Sequence, residues 1–243
     1  MTRLGWFRAV HCKSMSAQEV RALLTARKLV QSKLFDIEMS LRGILRGFGL
    51  KIGKTNPNRF GLRVEELVAG HPTLKIIGKA LLAAHEVLLR ELNGFEKRVR
   101  QLARQEKAGA PDHAPGVGPI VGLTYVAAID DPARFKSSKQ VGPHFGLTPK
   151  KHQSGETDYS GRISKIGDVS ARTALYEAAN TILTKPLKGA TSLKSWAMKL
   201  AKRAGMAKAN AALARKLGVI LHRMWVSRAK FVDKGGSPEP ATA

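Results

Sequence analysis

From Thr73 to Glu106 the chain has no proline, and Leu74, Ile77, Leu81, Leu88, Leu92, Phe95, Val99 and Leu102 recur at helical intervals along one stripe. At about 1.5 Å per residue, such a run makes a rod of roughly 50 Å. Its apolar stripe must be covered by another helix of the same chain or by a second copy. An earlier run offers a mate: Val20, Leu23, Leu24, Val30, Leu34, Ile37, Leu41, Leu45 and Phe48 keep the same period. It is opened by Ser16 and Glu19 in capping-box spacing and ended near Gly47 and Gly49. Residues 51–59 read as a loop, and residues 62–68 as a short helix closed by Gly70 and Pro72.

Gly109, Pro111 and Asp112 then punctuate the chain, and a second domain begins. The spacing predicts helices near residues 120–128, 138–141, 169–183, 193–204 and 207–230, with a glycine-dense loop over residues 143–168. The expected fold is mainly α: a long helical hairpin or coiled-coil element followed by a small helical domain with a helix-hairpin-helix-like turn. The expected parts are a first segment and connecting helix at 1–50, the long-helix segment at 51–113, the second domain at 114–234 and a disordered tail at 235–243.

Charge narrows the partner. Lys and Arg number 42 against 18 Asp and Glu, a formal net charge of +24, so a polyanion is expected. From Ala178 to Phe231 there is no Asp or Glu at all, which is unlike a solvated face of mixed sign. Hydrophobic residues at 43% and charged residues at 25% are ordinary for a globular protein, so the excess does not signal disorder. An anionic membrane would ask for Trp or Phe along one face of an amphipathic helix, whereas these helices carry Ala and Leu. No apolar run reaches the roughly 18 residues of a membrane span, and the charged start lacks the apolar stretch of a signal peptide. The expectation is a cytoplasmic protein with no membrane partner. The lone Cys12 excludes an intrachain disulfide, and the scattered histidines offer no metal spacing, so no metal site is expected in this chain.

Two segments have the residue types for phosphate chemistry. In Ala114-Pro115-Gly116-Val117-Gly118-Pro119-Ile120, two glycines permit a tight turn into a helix whose first amides can face a phosphate oxygen. Gly116, Val117 and Gly118 are therefore candidate DNA contacts, and an ordinary turn into a helix is the alternative. Between Pro143 and Asp168, small residues alternate with Lys150, Lys151, Arg162 and Lys165, and Ser154 stands before Gly155. A serine presented beside glycine can attack a phosphodiester while cations neutralise the developing charge. His152 lies two residues from Ser154 with no third member of a hydrolase triad evident.

These motifs, in order, carry a resemblance. Pro115-Gly116-Val117-Gly118-Pro119, Ile129-Asp130-Asp131-Pro132-Ala133-Arg134-Phe135, Phe145-Gly146-Leu147-Thr148-Pro149, Gln153-Ser154-Gly155 and Gly161-Arg162-Ile163-Ser164-Lys165-Ile166-Gly167 resemble the C-terminal domain of the insertion-sequence one-hundred-and-ten transposase family, which includes the pilin-gene invertases. The resemblance runs from Ala114 to about Phe231, and Leu4 to Leu50 is similar to the segment joining that family's two domains. It implies a recombinase with a nuclease-like N-terminal domain holding four metal-binding carboxylates, a coiled-coil insertion and a C-terminal domain that supplies a serine nucleophile. Some members use a structured guide RNA.

By motif position the serine is Ser154, with Ser160 as its rival. Arg162, Lys165 and Arg172 are phosphate contacts on the charge argument. The family's carboxylates lie upstream of the stretch resembling Leu4 to Ser14, and Asp36, Glu38, Glu65 and Glu66, on or beside helices, do not replace them. The expectation is a fragment that binds DNA, assembles through its long helices into a homo-oligomer, and does not recombine DNA alone. Mg2+ is expected for the full-length family and no cofactor for this chain. A non-catalytic helix-hairpin-helix DNA-binding protein and an RNA-binding protein remain the alternatives.

Overall fold

A computed structural model describes residues 10–105, 114–187 and 189–233. The expected tail at 235–243 and nearly all of the expected boundary at 107–114 lie outside the described residues. The fold is mainly helical, with one two-stranded sheet among the described residues. It comprises α1 (Met15–Gly47), α2 (Pro57–Val68), α3 (Pro72–Gln105), α4 (Pro119–Ile129), α5 (Val141–His144), β1 (Pro149–Ser154), β2 (Thr157–Ile163), α6 (Val169–Thr184), α7 (Thr191–Ala204) and α8 (Met206–Ser227). Two compact units result: Ala22–Arg98, and residues 10–21 together with the described part of 99–233.

In the unit formed by Ala22–Arg98, Leu41, Leu45, Ile52, Phe60, Val64, Val68 and Leu74 form the core, drawn from α1, α2, α3 and the loop after α1. Helix α2 starts at Pro57, earlier than the periodicity indicated, because proline is favoured in the first helical turn, where its missing N–H costs nothing. Arg27 of α1 donates to Glu96 of α3 at 2.8 Å, and further along α1 Glu38 meets His85 of α3 at 3.1 Å. The partners run in opposite chain directions, so α1 and α3 are antiparallel over this stretch. His85 also stacks on Phe60, with ring centroids 5.2 Å apart, and Arg42 covers the same phenyl ring.

The other unit is built around α8, whose Ala209, Leu213, Ala214, Leu217, Gly218 and Leu221 are buried. Helices α6 and α7 pack on it, and α4 packs on α6. Tyr125, Phe145, Leu175, Ile182 and Leu193 fill the space between them. The Tyr125 hydroxyl donates to the Gly218 carbonyl at 2.7 Å, satisfying a polar group that burial would otherwise penalise; that burial pushes the phenol well above its usual range. Helix α1 is capped by Ser14 instead of Ser16: the Ser14 hydroxyl accepts the Ala17 amide at 3.2 Å. Ser14 is chosen because Asp130 holds it, accepting its N–H at 2.9 Å and its hydroxyl at 2.6 Å.

Candidate nucleic-acid interface

The segment expected as a glycine-dense loop is in its centre a β-hairpin. Strands β1 and β2 pair antiparallel, with Lys151 opposite Ser160, His152 opposite Tyr159, Gln153 opposite Asp158 and Ser154 opposite Thr157. Gly155, at φ +55, turns the chain at the tip. Almost every side chain of the hairpin is exposed. The strands went unread because, with neither face buried, they have no apolar alternation to show.

The root of the hairpin is fixed by backbone. Gly146 and Gly167 have positive φ, and a Cβ on either would collide with main-chain atoms, of Lys165 and Ile166 for Gly146 and of His144 for Gly167. Lys165 N–H bonds the Gly146 carbonyl at 3.1 Å and Ser164 N–H bonds the Thr148 carbonyl at 2.9 Å. Arg172 donates from one Nη to the carbonyls of Phe145 and Ile166, both at 3.0 Å. Asp168 caps α6 through the Ala171 amide and pairs with Arg21. Burial opposes its charge, but the amides of Ala171 and Ser170 and the Arg21 guanidinium outweigh it and hold the carboxyl below its usual range.

The expected site residues therefore fall into two groups. Lys150, Lys151, Ser154, Ser160, Arg162 and Lys165 are exposed on or beside the hairpin. Ser154 stands at its tip, and Ser160 pairs with Lys151 on the opposite face. Lys151 also meets Asp158 at 3.1 Å. Arg172, by contrast, is half-buried and uses one Nη on the backbone.

The turn before α4 is likewise divided. Gly116, at φ +76, packs against α6, where a Cβ would stand 2.8 Å from the Ala178 carbonyl oxygen. Val117 is 6% exposed. Gly118 alone of the three is open, as the N-cap of α4 with no side-chain cap. The motif looks like a phosphate turn, but half of it is used to seat α4 on α6.

A second basic surface was visible only as a composition. On α7 and α8, Lys199, Lys202, Arg203, Lys208, Arg215 and Arg223 are exposed, with no acidic residue between Ala178 and Phe231 to offset them. Lys216 lies 4.4 Å over the Trp196 ring. Their spacing of three, four and seven residues along the helices was the signal that could have singled them out. Among the described residues no three His, Cys, Asp or Glu side chains gather into a group that could hold a metal ion. None of their helices is long and apolar enough to cross a membrane.

Residues 112–193 match the family model described as Transposase IS116/IS110/IS902 family. Residues 112–193 are thus similar to the domain of that transposase family. The match takes in the Gly116 turn, α4, α5, the hairpin, α6 and the start of α7. Helix α8, outside it, nevertheless supplies the centre of the core on which the matched residues pack.

The chain is 32% identical over 224 residues to the transposase for insertion sequence element IS1111A of Coxiella burnetii, covering 88% of this chain and 60% of that protein. It is 27% identical over 242 residues to a putative transposase, y4pF/y4sB, of Sinorhizobium fredii, covering 96% and 61%. To a probable family 20 transposase of Pseudomonas aeruginosa it is 28% identical over 188 residues, covering 72% and 54%. The chain thus spans little more than half to three fifths of the length of these curated relatives.

Proposed function

We propose that this chain acts in DNA transposition, binding DNA through its basic hairpin and the α7–α8 surface and presenting Ser154 as a nucleophile to the phosphodiester backbone. The observation that carries this reading is the position of Ser154: at the tip of an exposed hairpin whose root is fastened by Gly146, Gly167 and Arg172. A hydroxyl so placed reaches a phosphate without steric hindrance from its own domain, on a support that does not have to be ordered on binding. In the step itself the Ser154 oxygen attacks phosphorus, its proton passes to solvent or a base, and the phosphorus–sugar oxygen bond breaks. The strand end leaves as a hydroxyl, and the other end stays on the serine as a phosphodiester. Lys150 and Arg162, exposed on the same hairpin, are the groups that would offset charge on the phosphate.

Strand exchange is proposed to need metal-binding carboxylates in addition to Ser154. Exposed Phe35 and Met39 on α1 and Ile76 and Val87 on α3 support assembly of copies through the long helices. A structured guide RNA is a second polyanion that the α7–α8 cations would accept, and the cytoplasm is the compartment where DNA would be met.

The test is incubation of the chain with nicked duplex DNA and Mg2+, followed by denaturing electrophoresis. A covalent protein–DNA adduct that Ser154→Ala abolishes and Ser160→Ala leaves intact supports the assignment. DNA retention with no adduct for the wild type would reduce the role to binding.

A further inference from the structure

The hairpin face that carries Ser154 also carries an aromatic pair that no packing role absorbs. Side chains alternate across a strand, so the Ser154–Thr157 and His152–Tyr159 rungs share one face. The imidazole of His152 and the ring of Tyr159 are nearly parallel, 14° apart, with centroids separated by 4.7 Å. Neither belongs to the unit's hydrophobic core, and Tyr159 is 56% exposed. Gly161 makes room for this stack: a Cβ there would stand 3.3 Å from His152 Nε2. The pair lies about 7 Å along the strand from the Ser154 rung, within the span of one or two nucleotides.

We infer that Tyr159, backed by His152, is a stacking platform for an unpaired DNA base beside the phosphate that Ser154 meets. The inference rests on the DNA reading above and names what the hairpin recognises. A flat ring already held by a second ring loses little freedom when a base stacks on it, and every base offers a π-face, so the contact is blind to sequence. Lys150, exposed and two residues before His152 on β1, shares the platform's face, and Arg162 is exposed further along β2, a combination of ring and cation that holds a single strand by its bases and its backbone together. A paired base inside an intact duplex has no free face to offer. Cross-strand stabilisation of the hairpin is the competing explanation for two exposed rings.

The experiment uses the whole chain and duplex DNA with 2-aminopurine next to a one-nucleotide gap, read by fluorescence quenching. Wild type and Tyr159→Phe are expected to quench the probe. Tyr159→Thr keeps a strand-forming residue and removes the ring. It is expected to lose the quenching and to bind gapped DNA roughly five- to a hundred-fold more weakly, with far less change on intact duplex. Unchanged NMR shifts of the hairpin amides in Tyr159→Thr, with rescue by Tyr159→Phe, separate stacking from loss of the hairpin. DNA binding with a quench that does not depend on Tyr159, or a quench seen only with an RNA strand of the same sequence, overturns the platform while the DNA reading stands. Absence of any DNA binding overturns both.

Discussion

Asp130 accepts two hydrogen bonds from Ser14, from its amide at 2.9 Å and its hydroxyl at 2.6 Å, and a third from His11 at 2.7 Å. Asp130 is also one of few non-glycine residues at positive φ, at +67°. Burial opposes the charged form, but the Ser14 and His11 bonds outweigh it and bring the carboxyl down to about 2. Lys13, next to Ser14, donates to the carbonyls of Ala127 and Ala128 at the end of α4, where the helix dipole favours a cation. This cluster fastens the start of α1 to α4 inside one unit.

Replacing Asp130 with alanine removes all three acceptor bonds and leaves the exposed Ser14 donors to water. The expected loss is about 2–4 kcal/mol, read as a lower denaturant midpoint with an unchanged slope. Asp130→Asn keeps the shape and the tolerance for positive φ and should lose less. Because the folded carboxyl lies below its unfolded value, its contribution is present above about pH 4 and disappears as pH falls towards 2. Wild type should therefore lose stability over that window, and Asp130→Asn should lose less.

Two histidines set a second pH dependence. Burial lowers the pKa of both His144 and His222; Arg134 and Lys13 lower His144 further, while the Pro132 carbonyl partly opposes the shift at His222. Folded pKa values below the unfolded one mean stability present above about pH 6.5 and lost as pH falls through the histidine range. The thermal midpoint should drop between pH 7.5 and pH 5.5. His222→Gln should be less stable at pH 7.5 but show a shallower pH slope. An equal slope would mean that His144 alone carries the effect.

Gly167→Ala tests the root of the hairpin. The new methyl would collide with the His144 carbonyl and be forced to positive φ, costing at least about 2 kcal/mol. The strain falls on the junction between α5 and the hairpin, so the serine adduct should be lost in the temperature range where the helical circular dichroism signal persists. Loss of both signals together would show that root and core fold as one unit.

Salt separates the two basic surfaces. Changing Lys199, Lys202 and Arg203 together to glutamine should weaken DNA binding and flatten the slope of log affinity against log salt by about 0.9 for each phosphate contact removed. An unaltered slope would take α7 out of the DNA interface. The hairpin change Lys150→Gln should shift the slope by about one such step.

The helices were legible because they bury one face: the proline-free stripe of α3 indicated residues 73–106 and the helix covers Pro72–Gln105. The cap of α1 was misplaced by two residues because the choice between Ser14 and Ser16 is made by Asp130, 116 residues away, and no local rule contains that bond. The hairpin was hidden for the opposite reason, since strands exposed on both faces lack a period. At Gly116 and Val117 the turn pattern is the same whether it faces solvent or α6, so the sequence alone does not choose between a phosphate contact and an ordinary turn. The charge of the site was thus plain in the sequence, and its division between structural and free groups, as at Arg172, was not.

A hairpin with so little of its surface in the core, hung from a root made mainly of main-chain contacts, is free of the demands that packing places on sequence. Its residues can drift, or be exchanged as a cassette of equal length, without the helices beneath having to adapt. Constraint at Lys150, Ser154 and Tyr159 would then come from what they touch in the partner. The helical scaffold and the finger it carries would then be separate heritable parts.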